Sequence, residues 1–185
     1  MRRNIYDFDK TIFHGDSTVR FSCYCARKYP RAAFDMFFSI WWLAAVKLQL
    51  VSKTRAKERF YRFLSYVPDV RNEVQAFWAV NSHRIKRWYL ESLPCNDLVI
   101  SASPEFLLMP ICQSLRVQLI ASRVDPHTGR TEGLNCHGQE KVTRLFEAFP
   151  ETQIHVFCSD SRSDGPLAQL AEHAWIIRGN QRTHW

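Results

Sequence analysis

The sequence predicts an α/β protein: a Rossmann-like three-layer core with a mostly parallel sheet, plus an inserted all-helical subdomain. Three observations carry this expectation. Short apolar runs at Ile5-Tyr6, Leu98-Val99-Ile100 and Ile154-His155-Val156-Phe157-Cys158 have the length and composition of buried parallel strands. Each runs straight into polar residues, Asp7-Phe8-Asp9, Ser101-Ala102-Ser103 and Ser159-Asp160-Ser161, at the carboxyl ends where open α/β sheets form their ligand crevice. Between the first and second runs lies a stretch, Thr18 to Glu91, that is helical in pattern and far longer than a crossover needs.

The first strand ends in two acids with one residue between them. On a strand, alternate side chains leave the same side, so Asp7 and Asp9 pair up and Phe8 points away. The helical stretch divides the chain into a core of residues 1–16 and 93–185 and an insert of residues 17–92. Breaks are expected near Tyr29-Pro30, Val51-Ser52 and Val67-Pro68-Asp69, with Asp69 an N-cap and Pro68 ending the helix before it. Within the insert, Phe34, Phe37, Phe38, Trp41, Ala45 and Leu48 follow helical spacing, yet Met36, Ile40, Trp42, Leu43 and Leu50 make the opposite side apolar too. A helix apolar all round is buried or in lipid. Three readings stay open for 34–51: burial in the insert or a homodimer contact, peripheral attachment to a membrane, or a span, although Asp35, Ser39, Lys47 and Gln49 leave the uninterrupted part short for a bilayer.

The second strand passes through Ser101-Ala102-Ser103-Pro104 into a helix start, where a hydroxyl and free N–H groups suit a phosphate oxygen. A helix, a strand and a turn-rich hairpin at Asp125-Pro126-His127-Thr128-Gly129 follow. Gly138-Gln139-Glu140-Lys141 then opens a helical pattern through Val142, Leu145 and Phe146, placing Lys141 near a helix start. The last strand delivers Asp160 and Asp164.

At 185 residues and 46% hydrophobic content the chain suits one packed core with an insertion, without low-complexity segments or repeats. The formal charge of +7 favours anionic partners. Nucleic acid is not expected among them, because no base-reading module is present and the basic run His83-Arg84-Ile85-Lys86-Arg87 reads as a solvated helix face. Met1-Arg2-Arg3 is basic but is followed by no apolar segment of a secretion signal. Six irregularly spaced cysteines read as reduced thiols in a cytoplasmic protein; on a helix, Cys23 and Cys25 point to different faces and chelate poorly.

Two crowded carboxylates repel unless a cation sits between them or one keeps its proton. Either outcome is chemically useful, since one acid can attack while its neighbour carries a proton. The ordered set Asp7-Phe8-Asp9-Lys10-Thr11, Ser101, Lys141 and Ser159-Asp160-Ser161-Arg162-Ser163-Asp164 resembles the haloacid dehalogenase-like hydrolase superfamily, in its phosphoserine phosphatase-like branch. The resemblance covers nearly the whole chain. Asn135-Cys136-His137-Gly138, the Gly129-Arg130 turn and the Ser-Asp-Ser form of the final motif are closest to a bacterial group that includes C-type phosphatidylglycerophosphate phosphatases. Lys10 stands where the family more often has glycine or serine, and Ser159 and Ser163 where phosphoserine phosphatases carry glycine and asparagine.

The resemblance implies a Mg²⁺-dependent phosphatase acting through an aspartyl-phosphate on a small phosphorylated metabolite or phospholipid precursor, with residues 17–92 as a C1 cap over the crevice. Asp7 is then the nucleophile, Asp9 the general acid and base, and Ser101 and Lys141 the phosphate ligands. Mg²⁺ is held by Asp7, the backbone carbonyl of Asp9 and Asp160, with Asp164 orienting bound water or holding Lys141. Asp16, nine residues after Asp7, either meets a substrate amine or caps the helix beginning Ser17-Thr18; Ser103 and His14 are further candidates on the substrate side. Thr11 braces the first loop or touches substrate. Alternatives are a phosphotransferase using the same site and a non-catalytic protein assembling through the apolar helix; dehalogenation fits poorly with the second acid.

Overall fold

The computed structural model of the chain describes residues 1–47, 53–92 and 97–185, with side chains described outside 40–54. Six strands form one sheet: β1 (Arg2–Tyr6), β2 (Leu98–Pro104), β3 (Gln118–Ser122), β4 (Gln153–Ser159), β5 (Ala171–Arg178) and β6 (Gln181–His184). Their spatial order is β3-β2-β1-β4-β5-β6, parallel throughout except that β6 runs antiparallel to β5. β1 and β4 lie side by side at the centre, so the acids that follow each strand leave the sheet at adjacent positions on one edge. The β5–β6 hairpin was not anticipated from the sequence, although Trp175-Ile176-Ile177 followed by Gly179-Asn180 carries its signal.

Both faces of the sheet are covered, which explains why the central strands read as nearly continuous apolar runs. One face packs Ile5, Ile100, Leu145, Phe157 and Leu167 beneath α7 (Gln139–Ala148) and α8 (Gly165–Ala168). The other packs Tyr6 and Val99 against α6 (Glu105–Ser114) and against the helices inserted between β1 and β2: α1 (Ser17–Lys28), α4 (Val70–Asn81) and α5 (Arg87–Ser92). Phe8, Phe13, Phe77 and Trp78 form a run of edge-on and stacked rings between insert and sheet, and Trp78 Nε1 donates to the Leu107 carbonyl at 2.6 Å. The insert therefore shares the core of the sheet.

Helix starts follow the sequence signals. Asp16 and Asp69 are the N-caps of α1 and α4, accepting from Val19 N at 2.9 Å and Asn72 N at 3.0 Å. The expected break at Tyr29-Pro30 separates α1 from α2 (Pro30–Lys47), and that at Val51-Ser52 lies outside the described residues. Residues 34–51 need a correction where they are described. Asp35 and Ser39, expected to interrupt an apolar helix, are its buried face, while Phe34, Phe37 and Phe38 are exposed. The polar side faces inward because Asp35 has partners there, Arg59 Nη1 at 2.7 Å and Arg62 Nε at 3.3 Å. The side chains of Trp41 and Trp42 lie outside the described residues.

Candidate active site

β1 ends at Tyr6, and Asp7 continues its ladder for one more bond, its N–H donating to the Cys158 carbonyl at 2.8 Å. The buried Asp7 carboxylate is thereby fixed at the sheet's carboxyl edge. Lys141, fully buried at the start of α7, donates to Asp7 Oδ1 at 2.7 Å and to Asp164 Oδ2 at 2.8 Å. Asp164 Oδ2 also accepts from Ser159 Oγ at 2.7 Å. Thr11 Oγ1 lies 3.3 Å from Asp7 Oδ2 and accepts from Asp160 N at 2.9 Å, so one hydroxyl joins the two loops. Thr11 has no exposed surface and is not among the residues of the cavity described below.

Asp9 faces different partners. Its carboxylate accepts from Ser17 N at 2.6 Å and from Ser103 Oγ, which in turn lies 2.9 Å from Thr18 Oγ1. Ser101, buried two residues earlier in β2, accepts from Ser103 N at 3.2 Å, and its own proton has no acceptor among the described residues. Asp7, Asp9, Asp16, Ser101, Ser103, Lys141, Asp160 and Asp164 all line one cavity of about 660 Å³. Asp16 combines its capping role with a place in that wall. His14 does not join them: it is exposed and lines a neighbouring hollow with Lys86 and Gly179.

Burial sets the electrostatics. It pushes Asp7 up to about 6 against the pull of Lys141, and Asp9 up to about 7, helped by the nearby charge of Asp16 and opposed by the Ser103 and Ser17 bonds. Burial alone would discharge Lys141, but Asp7 and Asp164 outweigh it and hold the ammonium well above its ordinary value. Asp160 is raised by burial as well, and among the described residues its carboxylate accepts no hydrogen bond from another side chain. Asp7, Asp160 and Asp164 line the same cavity, Lys141 pairing with Asp7 and Asp164 while the Lys10 charge acts on Asp160. Carboxylate oxygens gathered in this way are the donors that a hard dication such as Mg²⁺ takes. The Asp9 side chain, already bonded twice, is not part of that set; only its backbone carbonyl is free to be.

The sequence reading missed the roof. From α3 (Lys53–Tyr61), Ala56, Lys57, Phe60 and Tyr61 line the cavity. The Lys57 ammonium, lowered by burial, donates to Asn135 Oδ1 at 2.6 Å and the Ala102 carbonyl at 3.2 Å. Glu58 accepts from Thr131 Oγ1 at 2.8 Å. The loop that follows β3 is therefore latched to α3 at two points. Lys86, fully buried before α5, was read as part of a solvated basic run; its ammonium donates to the carbonyls of Lys10 at 2.6 Å and Gly179 at 2.5 Å. The only available signal was weak: Ile85 and Trp88 flank it with apolar surface.

Among solved structures, the chain resembles a protein of unknown function from Bordetella pertussis Tohama I, with a TM-score of 0.76, 20% identity, and coverage of 94% of this chain and 88% of the other. It resembles a phosphoserine phosphohydrolase-like protein from Francisella tularensis with a TM-score of 0.58 and 12% identity over 94% and 86% of the two chains. A phosphoserine phosphatase captured as a phospho-aspartyl intermediate analogue matches with a TM-score of 0.56 and 14% identity over 93% and 84%. No curated protein sequence matches. The sequence model of the haloacid dehalogenase-like hydrolases matches residues 5–169, spanning every motif from β1 to α8. The protein belongs to the haloacid dehalogenase-like hydrolase family.

Proposed function

We propose that the protein is a Mg²⁺-dependent phosphatase that hydrolyses a phosphomonoester through an aspartyl-phosphate on Asp7. The observation that carries this reading is the division of labour between two aspartates two residues apart. Asp7 is paired with a buried ammonium at 2.7 Å, while Asp9 pairs with no cation among the described residues and is pushed up to about 7. A carboxylate held against an ammonium suits a nucleophile, and one bonded only to hydroxyl and amide donors suits a proton carrier. Asp7 attacks phosphorus; Asp9 gives its proton to the departing alkoxide, then takes one from the water that opens the intermediate. Lys141 and Ser101 bind the phosphate oxygens. Asp7, Asp160 and the Asp9 carbonyl would hold Mg²⁺, which when bound would neutralise charge on the transferring phosphoryl group. Asp164 holds Lys141.

Residues 17–92 act as a C1 cap in this reading, with α3 closing the crevice and excluding water. Val19, Ala56, Phe60 and Tyr61 add apolar surface to the cavity, which favours a phosphate carried on a partly apolar body, such as a phospholipid precursor, over a fully polar metabolite. The five described free cysteines fit a cytoplasmic setting. The phospho-aspartyl analogue seen in the structurally similar phosphoserine phosphatase supports the covalent step by analogy of fold.

Asp7→Asn tests the reading directly. Phosphate release from an aryl phosphate in Mg²⁺ is expected to fall by about 10³-fold or more, or about 4 kcal/mol of barrier, in a variant whose circular dichroism shows it folded. Turnover retained in that variant would remove Asp7 from its role.

A further inference from the structure

α2 is built inside out. Its buried side is polar: Asp35 binds Arg59 and Arg62, and Ser39 Oγ donates to the Asp35 carbonyl at 2.9 Å and accepts from Arg59 Nη1 at 3.2 Å. These bonds, with fully buried Ala32, fix which face looks inward. Phe34, Phe37 and Phe38 consequently project to the outside, 69%, 62% and 45% exposed. They touch edge-on, with ring centroids 4.8 Å apart for Phe34–Phe38 and 5.6 Å for Phe37–Phe38, so the patch is continuous. Three adjoining exposed phenylalanines are not the normal scatter of apolar residues on a soluble surface.

The chemistry beside the patch identifies what covers it. A groove of about 530 Å³ opens between Phe34 and Phe38 and is lined by Arg31, Arg59 and Arg62 against the single carboxylate of Asp35. Arg31 is exposed and Arg62 is 55% exposed, so positive charge is left over where the rings end. Aromatic rings flanked by unneutralised arginines match the layered chemistry of an anionic bilayer surface, acyl chains below lipid phosphates. No described helix is long and apolar enough to cross a membrane, so contact would be from one side.

We infer that this face of α2 docks on an anionic lipid bilayer, with Phe34, Phe37 and Phe38 at the acyl boundary and the arginines on lipid phosphates. The inference needs no chemistry at Asp7 and stands apart from the phosphatase reading. If that reading also holds, the docked face is the neighbour of the cavity roof, since α2 packs on α3.

Co-sedimentation with vesicles tests it, using phosphatidylglycerol mixed into phosphatidylcholine and phosphatidylcholine alone at about 0.1 M salt. The expected result is binding to the anionic vesicles about tenfold or more tighter than to the neutral ones, weakening as salt rises. The triple variant Phe34→Ser, Phe37→Ser, Phe38→Ser and the single variant Arg31→Glu should each lose binding while keeping the wild-type melting curve and hydrolysis of a soluble aryl phosphate. Wild-type protein that stays in the supernatant with anionic vesicles overturns the inference, as does a triple variant that binds like wild type. A dimer in sedimentation that the triple variant abolishes, with no vesicle binding, assigns the face to a second copy of the chain and overturns it too.

Discussion

At the scale of single residues, Asp7 and Asp160 were legible as acids that follow neighbouring strands, and Lys141 as a lysine at a helix start; the expected pairing of Asp7 and Asp9 along one strand is corrected, because β1 stops at Tyr6 and Asp9, beyond it, takes partners of its own. Lys86 and Lys57 were not legible, since nothing in a sequence distinguishes a lysine that reaches a buried carbonyl from one that reaches water. Asp9 gives the sharpest kinetic prediction. With its carboxyl pushed up to about 7, the proton-donating form is depleted above that pH, so kcat/KM is expected to fall on the alkaline side. Asp9→Asn should cost about 10²- to 10⁴-fold and erase that limb; a profile measured from pH 5 to 9 that declines identically in both proteins would remove Asp9 as the donor. Lys86 makes a prediction of another kind. Lys10 holds a left-handed conformation, φ 58°, and its carbonyl is captured by Lys86. Lys86→Met leaves two carbonyls without their donor, which should destabilise the fold by about 1–3 kcal/mol and slow turnover by loosening the loop between Asp9 and Thr11. Wild-type melting together with wild-type kcat would show the ammonium to be idle.

At the scale of elements, pattern reading succeeded where one face is apolar and failed where a buried ion pair inverts the rule. β1, β2 and β4 announce themselves as apolar runs because both sheet faces are covered. α2 misleads because the burial of Asp35 depends on Arg59, which lies on α3 and is invisible to any periodicity in α2 itself. The roof was unreadable for a similar reason: α3 meets the cavity only because the loop after β3 grips it. Gly129 is the point of closest approach. At φ 72° it seats the loop on the end of α3, and a Cβ there would lie 2.4 Å from the Tyr61 carbonyl oxygen. Gly129→Ala therefore has to shift either the loop or Tyr61, and Tyr61 walls the cavity. Loss of about 1–3 kcal/mol of stability and a rise in KM larger than the fall in kcat are expected. Unchanged steady-state constants and an unchanged melting temperature would mean that the roof tolerates the displacement.

At the scale of the whole molecule, buried acids sit at both ends of the sheet, and this makes stability depend on pH in an unusual direction. Asp7 and Asp9 occupy the carboxyl edge; Asp97 is buried at the opposite end, just before β2, where it accepts one bond from Asn4 Nδ2 at 3.2 Å while its Oδ2 has no partner among the described residues. Burial pushes Asp97 up to about 7, alongside about 6 for Asp7 and about 7 for Asp9, against an ordinary 3.8. Because the folded values lie above the unfolded one, the native state binds more protons between those limits. The stabilisation is complete below about pH 4 and is lost as pH rises through 6 to 7. Metal-free protein should thus melt at a lower temperature at pH 8 than at pH 5.5. The two ends are separable. Mg²⁺ prefers ionised carboxylates, so it should raise the melting temperature more at pH 8 than at pH 5.5, and act only through the catalytic edge. Asp97→Asn removes the other contribution: it keeps a partner for Asn4, has no charge to desolvate, and should gain about 1–3 kcal/mol at pH 8 with little change at pH 5.5, leaving both hydrolysis and the Mg²⁺ effect intact. Melting curves for wild type and Asp97→Asn at the two pH values, each with and without Mg²⁺, decide the matter. If the variant gains nothing at pH 8, Asp97 is ionised at no cost and the pH dependence belongs to the catalytic acids alone.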